Sequence, residues 1–174
     1  MKILAFGATT SSTSINRKLA NAAAQLVPDA VVTDLDLRDY QLPIYSSDLE
    51  ASDGMPTDAQ RSIDAIKSHD AIVVSLAEHN GSYTAAFKNL YDWASRIEQE
   101  VWSGKPMLLL ATSPGARGGA NVLAAAEATF PRMGADLKAS FSLPSFYDNF
   151  SDNEGVTDPE LASQLAEAAA KLSD

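Results

Sequence analysis

Lys2-Ile3-Leu4-Ala5-Phe6-Gly7-Ala8-Thr9-Thr10-Ser11-Ser12-Thr13-Ser14-Ile15-Asn16 follows the initial Met1, and the reading of the fold starts from it. Residues 2–6 are a short, nearly continuous apolar run, the pattern of a strand buried on both faces of a sheet. Gly7 and Ala8 end the run and a tract of hydroxyl residues follows. From Ile15 onward, Leu19, Ala22, Ala23 and Leu26 recur at helical spacing, which predicts a helix over 15–27. A buried strand, a polar turn and an amphipathic helix in that order form one unit of parallel α/β structure.

The unit recurs along the chain. Ala71-Ile72-Val73-Val74-Ser75-Leu76 and Met107-Leu108-Leu109-Leu110-Ala111 are further buried runs. The segments 31–37 and 136–143 alternate more and read as outer strands. Helical patterns over 57–68, 84–98, 119–131 and 159–172 lie between or after them. Five alternations imply right-handed crossovers, and so a three-layer α/β sandwich with a five-stranded parallel sheet and helices on both faces. In such a sheet, wound in the order 2-1-3-4-5, the ligand crevice lies at the carboxyl ends of the strands where the winding reverses. That singles out the loops 7–14, 77–83 and 112–119. No linker divides residues 1–174, which read as one domain. The stretch 38–56, rich in Pro, Ser and Asp, is a long connection of the kind that often carries function.

Composition narrows the chemistry. With 45% hydrophobic and 21% charged residues the chain is an ordinary globular one. It has no cysteine, which excludes disulfides, thiolate metal sites, CxxC pairs and a cysteine nucleophile together, so redox chemistry has to come from a cofactor. No metal site is expected. A formal net charge of −10 without any Lys/Arg cluster argues against nucleic acid or an anionic membrane as partner. No targeting signal is evident and the expected location is cytoplasmic. An anionic ligand stays compatible with the acidity, because backbone N–H groups at a helix N-terminus hold phosphate without basic side chains.

The first loop runs from Gly7 through the hydroxyls Thr9, Thr10, Ser11 and Ser14 into the helix at Ile15 and Asn16. It reads either as a phosphate cradle at a helix N-terminus or as an ordinary Ser/Thr cap. GxGxxG and GxxxxGK[ST] are both absent. The second loop, Ala77-Glu78-His79-Asn80-Gly81-Ser82-Tyr83-Thr84, has an Asn-Gly turn that lets backbone approach a flat ligand. It leads into a helix where Lys88 and Asp92, and Asn89 and Trp93, are spaced to interact. The third loop, Ser113-Pro114-Gly115-Ala116-Arg117-Gly118-Gly119, concentrates glycine, either for close approach to a ligand or for a tight turn.

Together these segments resemble the NADPH-dependent FMN reductase family of flavin, quinone, azo-dye and chromate reductases, whose fold is flavodoxin-like. Glu78-His79-Asn80-Gly81-Ser82-Tyr83 with Phe87-Lys88-Asn89 and Asp92-Trp93 is similar to the family pattern P-E-Y-N-G-S-x-P-x-x-L-K-N-x-x-D-W. Ser113 to Gly119 is similar to S-P-G-G-x-G-G, with Gly104-Lys105-Pro106 at the expected distance before it. Five departures stand out. The first loop lacks the arginine common in the family, Ser14-Ile15-Asn16 matches only with one added residue, His79 stands where tyrosine is usual, Ala77 where proline is usual, and Thr84 where proline is frequent. The resemblance implies that Glu78, His79, Asn80, Gly81 and Ser82, with Ser113, Pro114, Gly115, Arg117 and Gly118, hold an isoalloxazine ring. It likewise implies that Thr9, Thr10, Ser11, Ser14, Ile15 and Asn16 hold the ribityl phosphate. The cofactors implied are FMN and NADPH or NADH, the partners a small electron acceptor and a second copy, as a homodimer or dimer of dimers. The apolar segment Leu42-Pro43-Ile44-Tyr45 is the contact foreseen for that copy.

A flavin carries its own redox chemistry, so no side chain is assigned a catalytic role in the narrow sense. The alternative is an FMN electron carrier that does not oxidise NAD(P)H directly, favoured by the acidic charge and the hydroxyl-rich first loop. A serine hydrolase built on Ser82 or Ser113 lacks a GxSxG elbow. A response-regulator-like domain lacks acidic residues at the end of the first strand.

Overall fold

A computed structural model describes residues 1–173. In chain order the elements are β1 (Lys2–Gly7), α1 (Ile15–Gln25), β2 (Val31–Asp34), α2 (Ser47–Asp53), α3 (Thr57–Lys67), β3 (Ala71–Leu76), β4 (Glu78–His79), β5 (Ser82–Tyr83), α4 (Ala85–Ile97), β6 (Pro106–Thr112), α5 (Ala120–Thr129), β7 (Asp136–Leu143), α6 (Phe146–Asn149), β8 (Phe150–Ser151), β9 (Gly155–Val156) and α7 (Pro159–Ala170). Five of the strands form one parallel sheet in the order β2-β1-β3-β6-β7. Counting only these strands, this is the winding 2-1-3-4-5 expected from the alternation.

Strand periodicity sorts the core into two layers, because successive side chains point to opposite faces. Leu4, Phe6, Ile72, Val74, Leu76, Met107 and Leu109 face α3, α4 and α5. Ile3, Ala5, Ala71, Val73, Leu108 and Leu110 face α1 and α7. The central strands are buried on both sides, which is why they read as runs. A fully buried Leu or Ile contributes roughly 1.5–3 kcal/mol. The α4 and α5 side ends in an aromatic cluster in which Trp102 lies 4.7 Å from Phe130, and Tyr91 lies 5.4 Å from Phe130 and stacks on Phe87 at 5.7 Å. Burial pushes the Tyr91 hydroxyl up to about 12.

Several boundaries differ from the sequence expectation. The second strand leaves the sheet after Asp34, not Leu37, because the Asp36 side chain accepts from the Arg38 N–H and starts a 3₁₀ turn over Leu37–Asp39. The connection 38–56 contains α2, capped by the Ser46 side chain. The expected helix 119–131 ends at Thr129 and continues as a 3₁₀ turn through Pro131, which has no N–H to donate. Two hairpins, β4–β5 and β8–β9, were not foreseen.

Candidate nucleotide-binding cleft

At the carboxyl edge of the sheet, α1 starts against the ends of β1, β3 and β6. Gly7 makes this possible: a Cβ there would sit 2.5 Å from the Arg17 nitrogen, so only glycine lets the first turn pack so close. The Ser14 side chain caps α1 by accepting from the Arg17 N–H at 3.0 Å. The N–H groups of Ile15 and Asn16 belong to the first turn and have no acceptor among the described residues.

Asn16 itself is a staple. Its buried Nδ2 donates to the Thr112 carbonyl at 3.1 Å, and its Oδ1 accepts from the Thr112 N–H at 3.0 Å and from Ser75 Oγ at 2.7 Å. Three hydrogen bonds of this side chain thus join α1 to β3 and β6, so the Asn16 side chain serves the frame, while its backbone N–H has no acceptor among the described residues. Of the two basic residues in the first turn, Arg17 points to Asp34 and Asp36, and Lys18 pairs with Asp152. Hydrogen bonds from the Arg38 guanidinium hold the Asp36 carboxyl far below the usual carboxylate range, against partial burial. The α1 N-terminus therefore presents neutral donors only.

The other two loops lock onto each other. Asn80 at φ 52° and Gly81 at φ 76° make the two-residue turn of the β4–β5 hairpin. The hairpin places the Glu78 carboxylate at the start of α5, where Gly119 supplies no side-chain cap. Glu78 Oε2 accepts from the N–H groups of Asn121 and Val122, each at 3.0 Å. Gly118 is explained by packing: it has φ +56°, and a Cβ there would lie 2.2 Å from Ser142 Oγ and 3.0 Å from the Leu143 carbonyl. A Cβ on Gly115 would meet nothing within 4 Å. Arg117 donates to Asn121 Oδ1 at 2.8 Å. The Ser145 and Phe146 N–H groups bind the Gly115 and Ser113 carbonyls, fastening the third loop to the chain after β7.

Between these parts lies a cleft of about 240 Å³. Of the residues singled out from sequence, Thr9, Ser11, Ser14, Ile15, Asn16, Glu78, His79, Ser113 and Pro114 line it. Thr10, Asn80, Gly81, Ser82, Gly115, Arg117 and Gly118 do not. The exposed ones among them stand on the surrounding loops, while Gly118 is the buried part of the third loop, packed against Ser142 and Leu143. Thr13, Ala77, Thr112 and Tyr147 line the cleft although sequence reasoning did not select them. Thr13 sits inside the quoted hydroxyl tract, but Tyr147 has no motif around it. A larger groove of about 530 Å³ between α1, α7 and the β8–β9 hairpin lies away from the sheet edge, and the lysine on its wall is paired with Asp152.

A parallel sheet wound in this order, with a hydroxyl tract and an open helix N-terminus at the end of its first strand, defines a flavodoxin-like α/β protein. The chain belongs to the NADPH-dependent FMN reductase family, whose profile matches residues 1–148. It is 38% identical over 107 residues to a quinone reductase of Pseudomonas putida, covering 61% of this chain and 56% of that protein. An NAD(P)H-dependent FMN reductase of Pseudomonas aeruginosa is 33% identical over 116 residues, covering 66% and 61%. The matched stretch thus spans little more than half the length of these relatives. Among solved structures, the flavoenzyme NAD(P)H:(acceptor) oxidoreductase FerB from Paracoccus denitrificans superimposes with a TM-score of 0.76 at 28% identity, over 99% of this chain and 95% of that one. A flavodoxin from Pseudomonas aeruginosa, 20% identical with a TM-score of 0.55 over 100% of both chains, shares the fold.

Proposed function

We propose that this chain is an FMN-dependent NAD(P)H oxidoreductase that passes electrons to a quinone, free flavin or another small acceptor. The observation that carries the reading is the α1 N-terminus, where two uncommitted N–H groups and several neutral hydroxyls face one cleft. This donor set suits the dianionic phosphate of a flavin nucleotide. The Ile15 and Asn16 N–H groups, with the hydroxyls of Thr9, Ser11, Thr13 and Ser14, would hold that phosphate. Glu78 and His79 on one loop, and Ser113 and Pro114 on the other, would flank the ring, with Asn80, Gly81, Ser82, Gly115 and Arg117 forming the rim. Bound there, FMN would supply the two-electron redox chemistry that links a nicotinamide to the acceptor. The chain's own task is to hold both partners at transfer distance, where orientation supplies much of the rate. The names of its relatives support the same chemistry.

We further read the exposed Ile44 as part of an isologous dimer contact and the cytoplasm as the setting. Ile44 is 78% exposed, yet its neighbours are fixed on α4. The Pro43 carbonyl accepts from Asn89 and Trp93, and the Tyr45 N–H donates to Asn89.

Titration of the purified protein with FMN, followed by anaerobic mixing with NADPH and separately NADH, tests the proposal. FMN is expected to bind with micromolar or better affinity, and one or both nucleotides should bleach the flavin bands within seconds. No binding at saturating FMN overturns the reading. Bleaching by dithionite but by neither nucleotide favours an electron carrier.

A further inference from the structure

The third loop has no aromatic residue, and the one tyrosine lining the cleft comes from elsewhere in the chain. Resting on the FMN reading above, we propose that Tyr147 is the aromatic wall of the flavin site and packs its ring against the isoalloxazine of FMN held in the cleft. Tyr147 lies on α6, directly after β7. On the same short segment Phe146 is 3% exposed and stacks on Phe150 at 4.6 Å, both rings packing into the α1 and α7 layer. Tyr147 is turned the other way and is 72% exposed.

The backbone holds this ring out. Ser145 adopts a left-handed conformation at φ 45°, which L residues rarely take. Its N–H donates to the Gly115 carbonyl at 3.0 Å, and that of Phe146 to the Ser113 carbonyl at 3.1 Å. Asn149 Nδ2 closes the segment on the Pro144 carbonyl at 2.9 Å. Tyr147 is therefore tied to the same loop that borders the cleft. Among the described residues its only ring neighbour is Phe146, met edge-to-face at 5.6 Å and 87°, so no other ring of theirs stacks on it. A rigid ring with two rotatable bonds loses little freedom on contact, and an unstacked aromatic face suits a planar heterocycle. His79, the other ring lining the cleft, is also exposed, so a flat ligand has an aromatic surface on the side of β7 as well as on the second loop.

Full-length wild type, Tyr147→Phe and Tyr147→Ala, freed of any flavin, are titrated with FMN and with riboflavin, following flavin fluorescence. A ring contact predicts that Tyr147→Ala weakens both ligands alike, by about threefold to tenfold, and leaves the bound flavin brighter. Tyr147→Phe should stay within about twofold of wild type. The exposed position makes misfolding an unlooked-for outcome, and the phenylalanine variant controls for it. The inference is overturned by unchanged affinity of Tyr147→Ala for both ligands, or by an FMN-only loss shared by the phenylalanine variant, which assigns the hydroxyl to the phosphate. It is also overturned by unchanged flavin binding with a raised KM for NADPH, which assigns the ring to the nicotinamide nucleotide. Wild type that binds no flavin overturns the proposed function, and this inference with it.

Discussion

The helices α1 and α5 both begin at the carboxyl edge of the sheet, yet α1 leaves the Ile15 and Asn16 N–H groups open whereas α5 has those of Asn121 and Val122 closed by Glu78. Each N-terminus favours a negative group through its unpaired N–H donors and the helix dipole. At α5 the protein supplies the anion itself, from the neighbouring loop. At α1 it supplies only hydroxyls, and it turns the nearby Arg17 outward to Asp34 and Asp36. The two ends therefore differ: one is a finished structural joint, the other is left open, and the proposed function reads it as the place for a ligand.

The hardest test of this contrast is Asn16, which belongs to the frame if the comparison holds. Asn16→Leu strands Ser75 Oγ and both backbone groups of Thr112 in the interior and should cost about 3 kcal/mol in urea denaturation. A loss under about 1 kcal/mol would return the Asn16 amide to the ligand side. A smaller effect is expected from replacing Thr9, Ser11 and Thr13 together by Ala. FMN should weaken by roughly tenfold to a hundredfold while riboflavin, which lacks the phosphate, hardly changes. Equal weakening of both would make these hydroxyls parts of the turn and would erase the distinction between the two helix ends. The smallest effect belongs to Glu78→Gln, which keeps an acceptor at α5 but removes its charge. Thermal denaturation should show a loss of about 0.5–1 kcal/mol, with FMN affinity changed by less than about twofold because the isosteric glutamine still flanks the ring. A large fall in FMN affinity would show that the carboxylate serves the ligand as well as the helix.

Most of the frame was legible because burial on both faces turns the central strands into apolar runs, and because Gly7 followed by hydroxyls and a helical period marks a strand-to-helix turn. The β4–β5 hairpin escaped because strands of two residues are too short to alternate, although Asn80-Gly81 was recognised as a turn. The cleft wall at the start of α1 was legible because it is local: a cap, a hydroxyl tract and a helix start within a few residues. The roles of Asn16 and Glu78 were not, since their partners are 96 and 43 residues away and nothing nearby in the chain announces them. Tyr147 was missed for a related reason, because the direction of its ring depends on a left-handed Ser145 and on bonds to the third loop.

The Asn16 staple also bears on how the chain folds. Its bonds to Ser75 and Thr112 close loops of 59 and 96 residues, and contacts that distant form late because the entropy of loop closure has to be met before they stabilise anything. The floor of the cleft is thus completed only when β6 has docked. If flavin binds only the completed cleft, it is expected to raise the melting temperature by drawing on the native state alone. In a refolding experiment, the recovery of flavin binding should lag behind helix formation and report the last long-range docking step.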